Sequence, residues 1–314
     1  MLGLLLRRLA FTIPMLVVVS FCVFSLIVLV PGDPAVALAG ENPDPAQIQA
    51  VRERLGLDDP FLVQFWRWFT GLLHGDLGVS LFSSQSVTGA VFGRLPTTLS
   101  LAGLSLFVAA VSGVAVGVLA AMRPGTKLDR IATFTASLGI AVPYFWVGMI
   151  LVLLFAINLT IFPAVGYTPL HENPVQWFLH LVLPATALGL APAAVIARQT
   201  RAAMTGVLRE DYVRTATAKG LPPLRVVGKH ALKNAAIPVV TAFGLEASRL
   251  IGGTVVIEQL FALPGLGSLA YSSVFARDFP MVQGVLLVVA ALVLLINLLV
   301  DVSYGYFNPR IRQS

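Results

Sequence analysis

Four ionisable residues, Glu246, Arg249, Glu258 and Asp301, stand in or beside long apolar runs, and they are the first place to look for chemistry. Charge in such a setting is costly, so these groups usually face protein or water. Glu246 and Arg249 are three residues apart, which lets them pair on one helix face. Two readings stay open: an ion pair or interface bond to another subunit, or the lining of a polar path. The remaining reactive side chains give little. His74, His171, His180 and His230 are scattered, with neither HExxH nor paired metal-ligand spacing. No GxxxxGK[ST] loop is present to cradle a phosphate, and no GxSxG elbow to expose a nucleophile. The single cysteine, Cys22, reads as a small buried apolar side chain. Neither an enzyme active site nor a metal site is expected.

A denser set of candidates lies between residues 201 and 235. Asp211 can cap a short helix through Lys219, Gly220 falls where a left-handed residue ends it, and Pro222-Pro223 prevents continuation. Pro223 also suits the start of a second short helix through about Leu232. Arg209, Arg214, Lys219, Arg225, Lys229 and Lys233 make this hairpin basic. That charge suits either an anionic lipid surface or a docking element for a soluble protein.

The elements that must position these residues follow from composition. Of 314 residues, 57% are hydrophobic and 11% charged, against about 45–50% and about 25% in soluble domains. A soluble core cannot hide that apolar surface; a bilayer accepts it. Six stretches are long enough to cross, at about 9–30, 97–121, 132–157, 178–200, 236–258 and 282–306. The first is too long for the apolar region of a signal peptide and is expected to be retained. Small residues at Gly113 and Gly117, and at Ala185, Gly189 and Ala193, have the spacing that lets helix backbones approach closely.

The net charge of +6 sits in short loops, as topology signals do, rather than in a nucleic-acid-binding patch. With the N-terminus inside, the inner segments hold Arg7, Arg8, Arg123, Lys127, Arg130, Arg310, Arg312 and eight more between Arg198 and Lys233. The outer segments hold Arg52, Arg54, Arg67, Arg94 and Arg277, a ratio of 15 to 5. Both termini are therefore expected in the cytoplasm, segment 31–93 outside and the 201–235 hairpin inside. In the outer segment, Asp44-Pro45 starts a helix that Gly56 stops, and Asp59-Pro60 starts a second. The aromatic cluster from Trp66 to Phe69 suits the membrane surface or a partner equally.

The stretch DYVRTATAKGLPPLRVVGKHALKNAAIP, residues 211–238, resembles the cytoplasmic coupling motif of binding-protein-dependent ABC importer permeases. The broad pattern is Glu-Ala-Ala, a glycine after three residues, then Ile-x-Leu-Pro. Here Arg214-Thr215-Ala216, Gly220 and His230-Ala231-Leu232-Lys233 occupy those places. The glutamate, first alanine and final proline are absent, as in the dipeptide, oligopeptide and nickel branch. VPGDPA (30–35), LGLDDPFLVQF (55–65), HGDLGVS (74–80), RLPTTLSL (94–101) and the run 252–284 are similar to the same branch.

The resemblance implies an all-α fold of six transmembrane helices, the type I importer permease fold with a cytoplasmic coupling helix. It divides the chain into an N-terminal helix with its outer segment, 1–94, and a permease domain, 95–314. It also implies a non-enzymatic subunit translocating di- or oligopeptides, with nickel chelates, glutathione or oligosaccharides as alternatives. The competing reading of the charges in the apolar runs is a proton or ion relay in an ion-coupled secondary transporter, against which the cytoplasmic hairpin argues. Implied partners are a second homologous permease, two ATPase domains that bind ATP and Mg, an extracytoplasmic binding protein and membrane lipid. No cofactor is implied on this chain, and no nucleic acid. By the same resemblance Asp211, Tyr212, Arg214, Thr215, Ala216, Ala218, Lys219, Gly220, His230 and Leu232 dock the ATPase. The setting is a bacterial cytoplasmic membrane.

Overall fold

The computed structural model describes residues 2–29, 35–36 and 44–307. Most of VPGDPA, as well as Arg310 and Arg312, lies outside the described residues. Apart from an isolated bridge between Val79 and Ser86, those residues are helical or irregular. The helices are α1 (Leu2–Leu29), α2 (Pro45–Leu55), α3 (Phe61–Leu73), α4 (Val87–Met122), α5 (Lys127–Ala141), α6 (Tyr144–Asn158), α7 (Pro174–Val207), α8 (Asp211–Ala218), α9 (Pro223–Leu260), α10 (Leu266–Ala276) and α11 (Phe279–Phe307). Four of them, α4, α7, α9 and α11, are each long and apolar enough to cross a membrane, and α5 with α6 makes a fifth if the bent pair is one span.

α7 is the most buried of these spans and α11 the least. α4 runs along α7, and α5, α6 and α9 also lean on α7. The α4–α7 contact is backbone to backbone. A Cβ added at Gly113 would lie 2.7 Å from the Ala193 carbonyl oxygen, one at Gly117 2.6 Å from that of Ala197, and one at Gly189 2.7 Å from that of Ser105. The small-residue stripes are thus a packing seam. Pro184 and Pro192 sit buried inside α7, which continues through both, as membrane helices allow when neighbours satisfy the freed carbonyls.

Several expectations change. The run 132–157 is not one straight crossing: α5 and α6 meet at 101°. Proline disfavours the helical conformation in the residue before it, and Val142 before Pro143 is extended at φ −83°, ψ 128°. The second span begins at Val87 rather than about 97, so the division expected at 94/95 cuts α4. The segment after Pro223 is not a separate short helix. It continues through a π-helical stretch, Val226–Leu232, into the span ending at Leu260. Asp211 is the first residue of α8 rather than its cap; Glu210, extended, holds the cap position. Cys22 is exposed on α1, not buried.

In the segment between α1 and α4 the turn chemistry is as expected. Asp44 precedes Pro45, and its N–H donates to the Gln47 side chain at 3.2 Å. Gly56 ends α2 in the left-handed conformation at φ 63°.

Candidate coupling surface and intramembrane polar clusters

α8 is an eight-residue helix fastened by two side chains. Val213 and Ala216 are buried, packed with Val226 and with half-buried Val207, Leu208 and Leu221. Asp211, Tyr212, Arg214, Thr215, Ala218 and Lys219 are all exposed. The exit turns at Gly220, φ 74°, whose N–H donates to the Thr217 carbonyl at 2.9 Å. Only glycine adopts that conformation without Cβ strain. Pro222 is extended, and α9 starts at Pro223.

A second tie joins the two sides of the turn. Asn234 Nδ2 donates to the Tyr212 hydroxyl at 2.9 Å and to the His230 carbonyl at 2.7 Å. His230 and Leu232 are half-buried in the π-helical stretch, and Leu232 packs with Ala121, Met204, Ala231 and Ala235. Of the ten candidates between 211 and 232, Ala216 and Leu232 therefore anchor the element from within. The six basic residues from Arg209 to Lys233 all face outward. Arg214 and Asp211 stand 3.5 Å apart with both side chains well exposed, a pair that contributes little to stability.

On the side of the molecule where α5 begins, Asp129 is 3% exposed and bound by Arg201 of α7 through two hydrogen bonds, one of 2.8 Å from Nη2. The Gly125 N–H donates to the same carboxylate at 2.9 Å. This clamp ties the bent pair to α7.

The intramembrane candidates separate into two places. Glu246 and Arg249 meet at 2.9 Å on α9; the Glu246 side chain is 9% exposed and that of Arg249 73%. Glu258 lies about three turns further along α9 and is wholly buried. Its carboxylate accepts from the Thr98 hydroxyl of α4 at 2.8 Å and from the Ser268 N–H of α10 at 2.8 Å. Thr98 in turn accepts from the Leu266 N–H at 2.8 Å. Asp301 is half-buried on α11. No group of three His, Cys, Asp or Glu fit to hold a metal ion occurs among the described residues.

Stretches far apart in the chain meet here. Ser80 of HGDLGVS donates to Asp278 at 2.5 Å, and the same carboxylate accepts from the Leu81 N–H at 3.3 Å. Leu77, Val87, Val91, Leu266, Met281 and Val285 form the apolar cluster beneath.

Residues 113–313 match the family described as binding-protein-dependent transport system inner membrane component, and residues 1–102 match its N-terminal companion. The chain belongs to that family. Among its relatives are the glutathione transport system permease protein GsiC of Salmonella paratyphi A, 43% identical over 99% of both chains, and the dipeptide transport system permease protein DppB of Escherichia coli, 39% identical over the whole of both. A chain from the inward-facing MetNI methionine ABC transporter superimposes with a TM-score of 0.56, at 22% identity, over 68% of this chain and 93% of its own. That last likeness speaks for the fold alone. The protein is a multi-helix permease subunit of an ABC importer; ATP hydrolysis lies in separate subunits, and the transport it serves depends on a binding protein.

Two features of this permease escaped the reading of its residues. Leu224 is 87% exposed at the tip after Gly220; an exposed leucine between two prolines and an arginine was visible but has no periodicity to mark it. The partners of Glu258 come from α4 and α10 and have no local signature.

Proposed function

We propose that this permease is one of two homologous membrane halves that move short peptides into a bacterial cell, driven by two ATPase domains docked on α8. The observation that carries the reading is mechanical. α8 is a short helix with a mostly bare polar surface, joined by a left-handed glycine to a 38-residue helix about 57 Å long. That rod reaches from the docking surface to the Glu258 cluster. ATP-driven closure of the partner domains would shift α8 as a body and rock α9 with it, a ligand-biased transition between two packings. ATP and Mg reside on the partner domains, and this chain carries no cofactor.

In this reading there are six spans, α1 and the bent α5–α6 pair included, with both termini in the cytoplasm and 31–93 outside. The domain division is 1–94 and 95–314, with the boundary inside α4. Asp211, Tyr212, Arg214, Thr215, Ala218 and Lys219 meet the ATPase, joined by Leu224, while Ala216, Gly220, His230 and Leu232 hold the helix in place. Arg249, mostly uncovered in the second half of α9, needs a polar neighbour in a membrane; the second permease or the translocation path supplies it. Half-buried Asp301 is the other candidate for that path or interface, whereas Glu258, wholly buried, serves the junction with α4 and α10.

Replacing Gly220 with valine tests the coupling. An added Cβ meets nothing within 4 Å, so the cost is backbone strain alone, about 1–2 kcal/mol. Assembly should survive, while hydrolysis stimulated by the loaded binding protein should fall several-fold. Normal stimulated hydrolysis and transport in a fully assembled variant would remove the role assigned to α8.

The peptide assignment is supported by relatives named for dipeptide and glutathione transport and by mixed-sign charges that suit a zwitterion better than a bare cation. Glutathione, itself peptide-like, is the second reading, favoured by the 43% relative. A strain lacking this gene should resist toxic di- and tripeptide analogues. Undiminished sensitivity together with lost nickel or oligosaccharide uptake would overturn the peptide assignment and leave the importer intact.

A further inference from the structure

The uncovered side of α3 carries an inference about what lies beside it, resting on the outward placement of segment 31–93 proposed above. At about 100° per residue the helix divides into three sectors. Phe61, Phe65, Trp68 and Leu72 face the protein, with Phe65 buried and Trp68 and Leu72 packed on the Leu77–Val87 cluster. Arg67, Gly71 and Gln64 form a polar sector. Arg67 pairs with Asp59, and Gln64 Nε2 donates to the Leu57 and Asp59 carbonyls at 3.0 and 2.8 Å. The third sector is apolar and bare: Leu62, Trp66 and Leu73 are 60%, 58% and 71% exposed. Thr70 at its edge donates its hydroxyl to the Arg67 carbonyl at 2.9 Å, so it adds no unmet polar group.

We propose that α3 is an interfacial helix seated in the outer leaflet, with Leu62, Trp66 and Leu73 among lipid acyl chains and Arg67 towards the headgroups. Its contact with α1 gives the orientation. The rings of Phe21 and Phe24, one turn of α1, lie 5.3–5.8 Å from those of Phe61, Phe65 and Trp68, spread over two turns of α3. The contacting rings take in about 10 Å of α3, from Phe61 to Trp68, but less than one turn of α1, so α3 crosses α1. Since α1 spans, α3 lies near the membrane plane.

Depth agrees. Counting about 1.5 Å per residue from Arg8, Phe21 and Phe24 lie about 20 and 24 Å along α1. In a hydrocarbon layer about 30 Å thick, the crossing is about 6–10 Å beneath the outer boundary. Interfacial helices bury their apolar faces about 5–10 Å deep. The turn of α1 that meets α3 is bare as well: Val17, Val18 and Phe21 are 40%, 59% and 41% exposed. A soluble partner covering α3 would have to displace the lipid that covers α1.

The experiment uses the assembled transporter in a Cys22→Ala background, reconstituted in vesicles of phosphatidylethanolamine and phosphatidylglycerol. Single cysteines at Leu62, Trp66 and Leu73, and at exposed Gln85 as reference, carry an environment-sensitive fluorophore. The α3 labels should be quenched several-fold more by lipid bearing a shallow acyl nitroxide than by aqueous iodide, and Gln85→Cys should show the reverse. Iodide quenching of the α3 labels equal to that of the reference would overturn the interfacial seat and return this face to a soluble partner. The orientation is read separately with an impermeant maleimide on intact cells. A reactive Gln85→Cys supports the outward placement; an unreactive one overturns the outer-leaflet assignment through the topology, whatever the lipid quenching shows.

Discussion

Replacing Gly117 with valine is expected to deplete the assembled permease, and Gly113→Val to do the same. At both positions an added Cβ would fall under 3 Å from a backbone carbonyl oxygen of α7, and at Gly117 also 2.6 Å from the Thr200 Cβ. Backbone atoms cannot swing aside as a side-chain tip can, so α4 and α7 must separate. Overpacking costs about 1–3 kcal/mol at one site. In a membrane no hydrophobic gain between helices offsets the lost van der Waals contact. Since α7 is also the support for α5, α6 and α9, the separation spreads. Gly103→Val is the control, because a Cβ there meets nothing within 4 Å on the same helix. Detergent-solubilised yield and melting temperature should drop for Gly117→Val and hold for Gly103→Val. Equal melting of the two would show that this seam does not hold the bundle together.

That seam was legible because its signal is local: glycines four apart in an apolar run admit a neighbouring backbone, whatever the neighbour is. Gly56 and Gly220 were legible for the same reason, each standing between a helical pattern and a turn. The break at Val142-Pro143 was equally present in the letters. The apolar run on either side masked it, since composition decides that a segment enters the membrane but not that it crosses straight. The continuation of α9 was harder to see. Its first buried residues are Val226, Ala231, Ala235 and Val239, and the first interval is five residues, not the three or four of an α-helix. A π-helical stretch absorbs the extra residue, so the face stays aligned although the sequence pattern loses its phase. Lys229 and Lys233 both lie on the exposed side. Cys22 was misread because an apolar run does not reveal which of its sides meets protein. Least legible was Glu258, which reads as an isolated cost in an apolar helix until Thr98 and Ser268, 160 residues before it and 10 after, arrive beside it.

The partners of Glu258 make a sharp expectation for paired substitutions. Glu258→Ala should destabilise the junction of α4, α9 and α10 strongly. It removes the acceptor for the Ser268 N–H and the Thr98 hydroxyl, and each buried donor left unmet costs about 1–3 kcal/mol. The truncated side chain also leaves a cavity. Glu258→Gln should be milder: its remaining oxygen can serve the fixed Ser268 N–H, and its amide can turn to the Thr98 hydroxyl, which can reorient to accept. Gly265→Ala should be destabilising for a different reason, since its new Cβ would collide with the Glu258 carboxylate. These two changes are therefore coupled. Once Glu258→Ala has removed the carboxylate, the three atoms nearest the Cβ at residue 265 are gone, so the double variant should lose much less than the sum of the singles. Contacting residues typically show interaction energies of about 0.5–3 kcal/mol, whereas independent sites add within about 0.5. Denaturation of the four proteins in detergent reads this directly, with transport as the parallel measurement. Strict additivity would mean that Gly265 is needed for some reason other than room for the carboxylate, and that Glu258 does not hold α10 against α9.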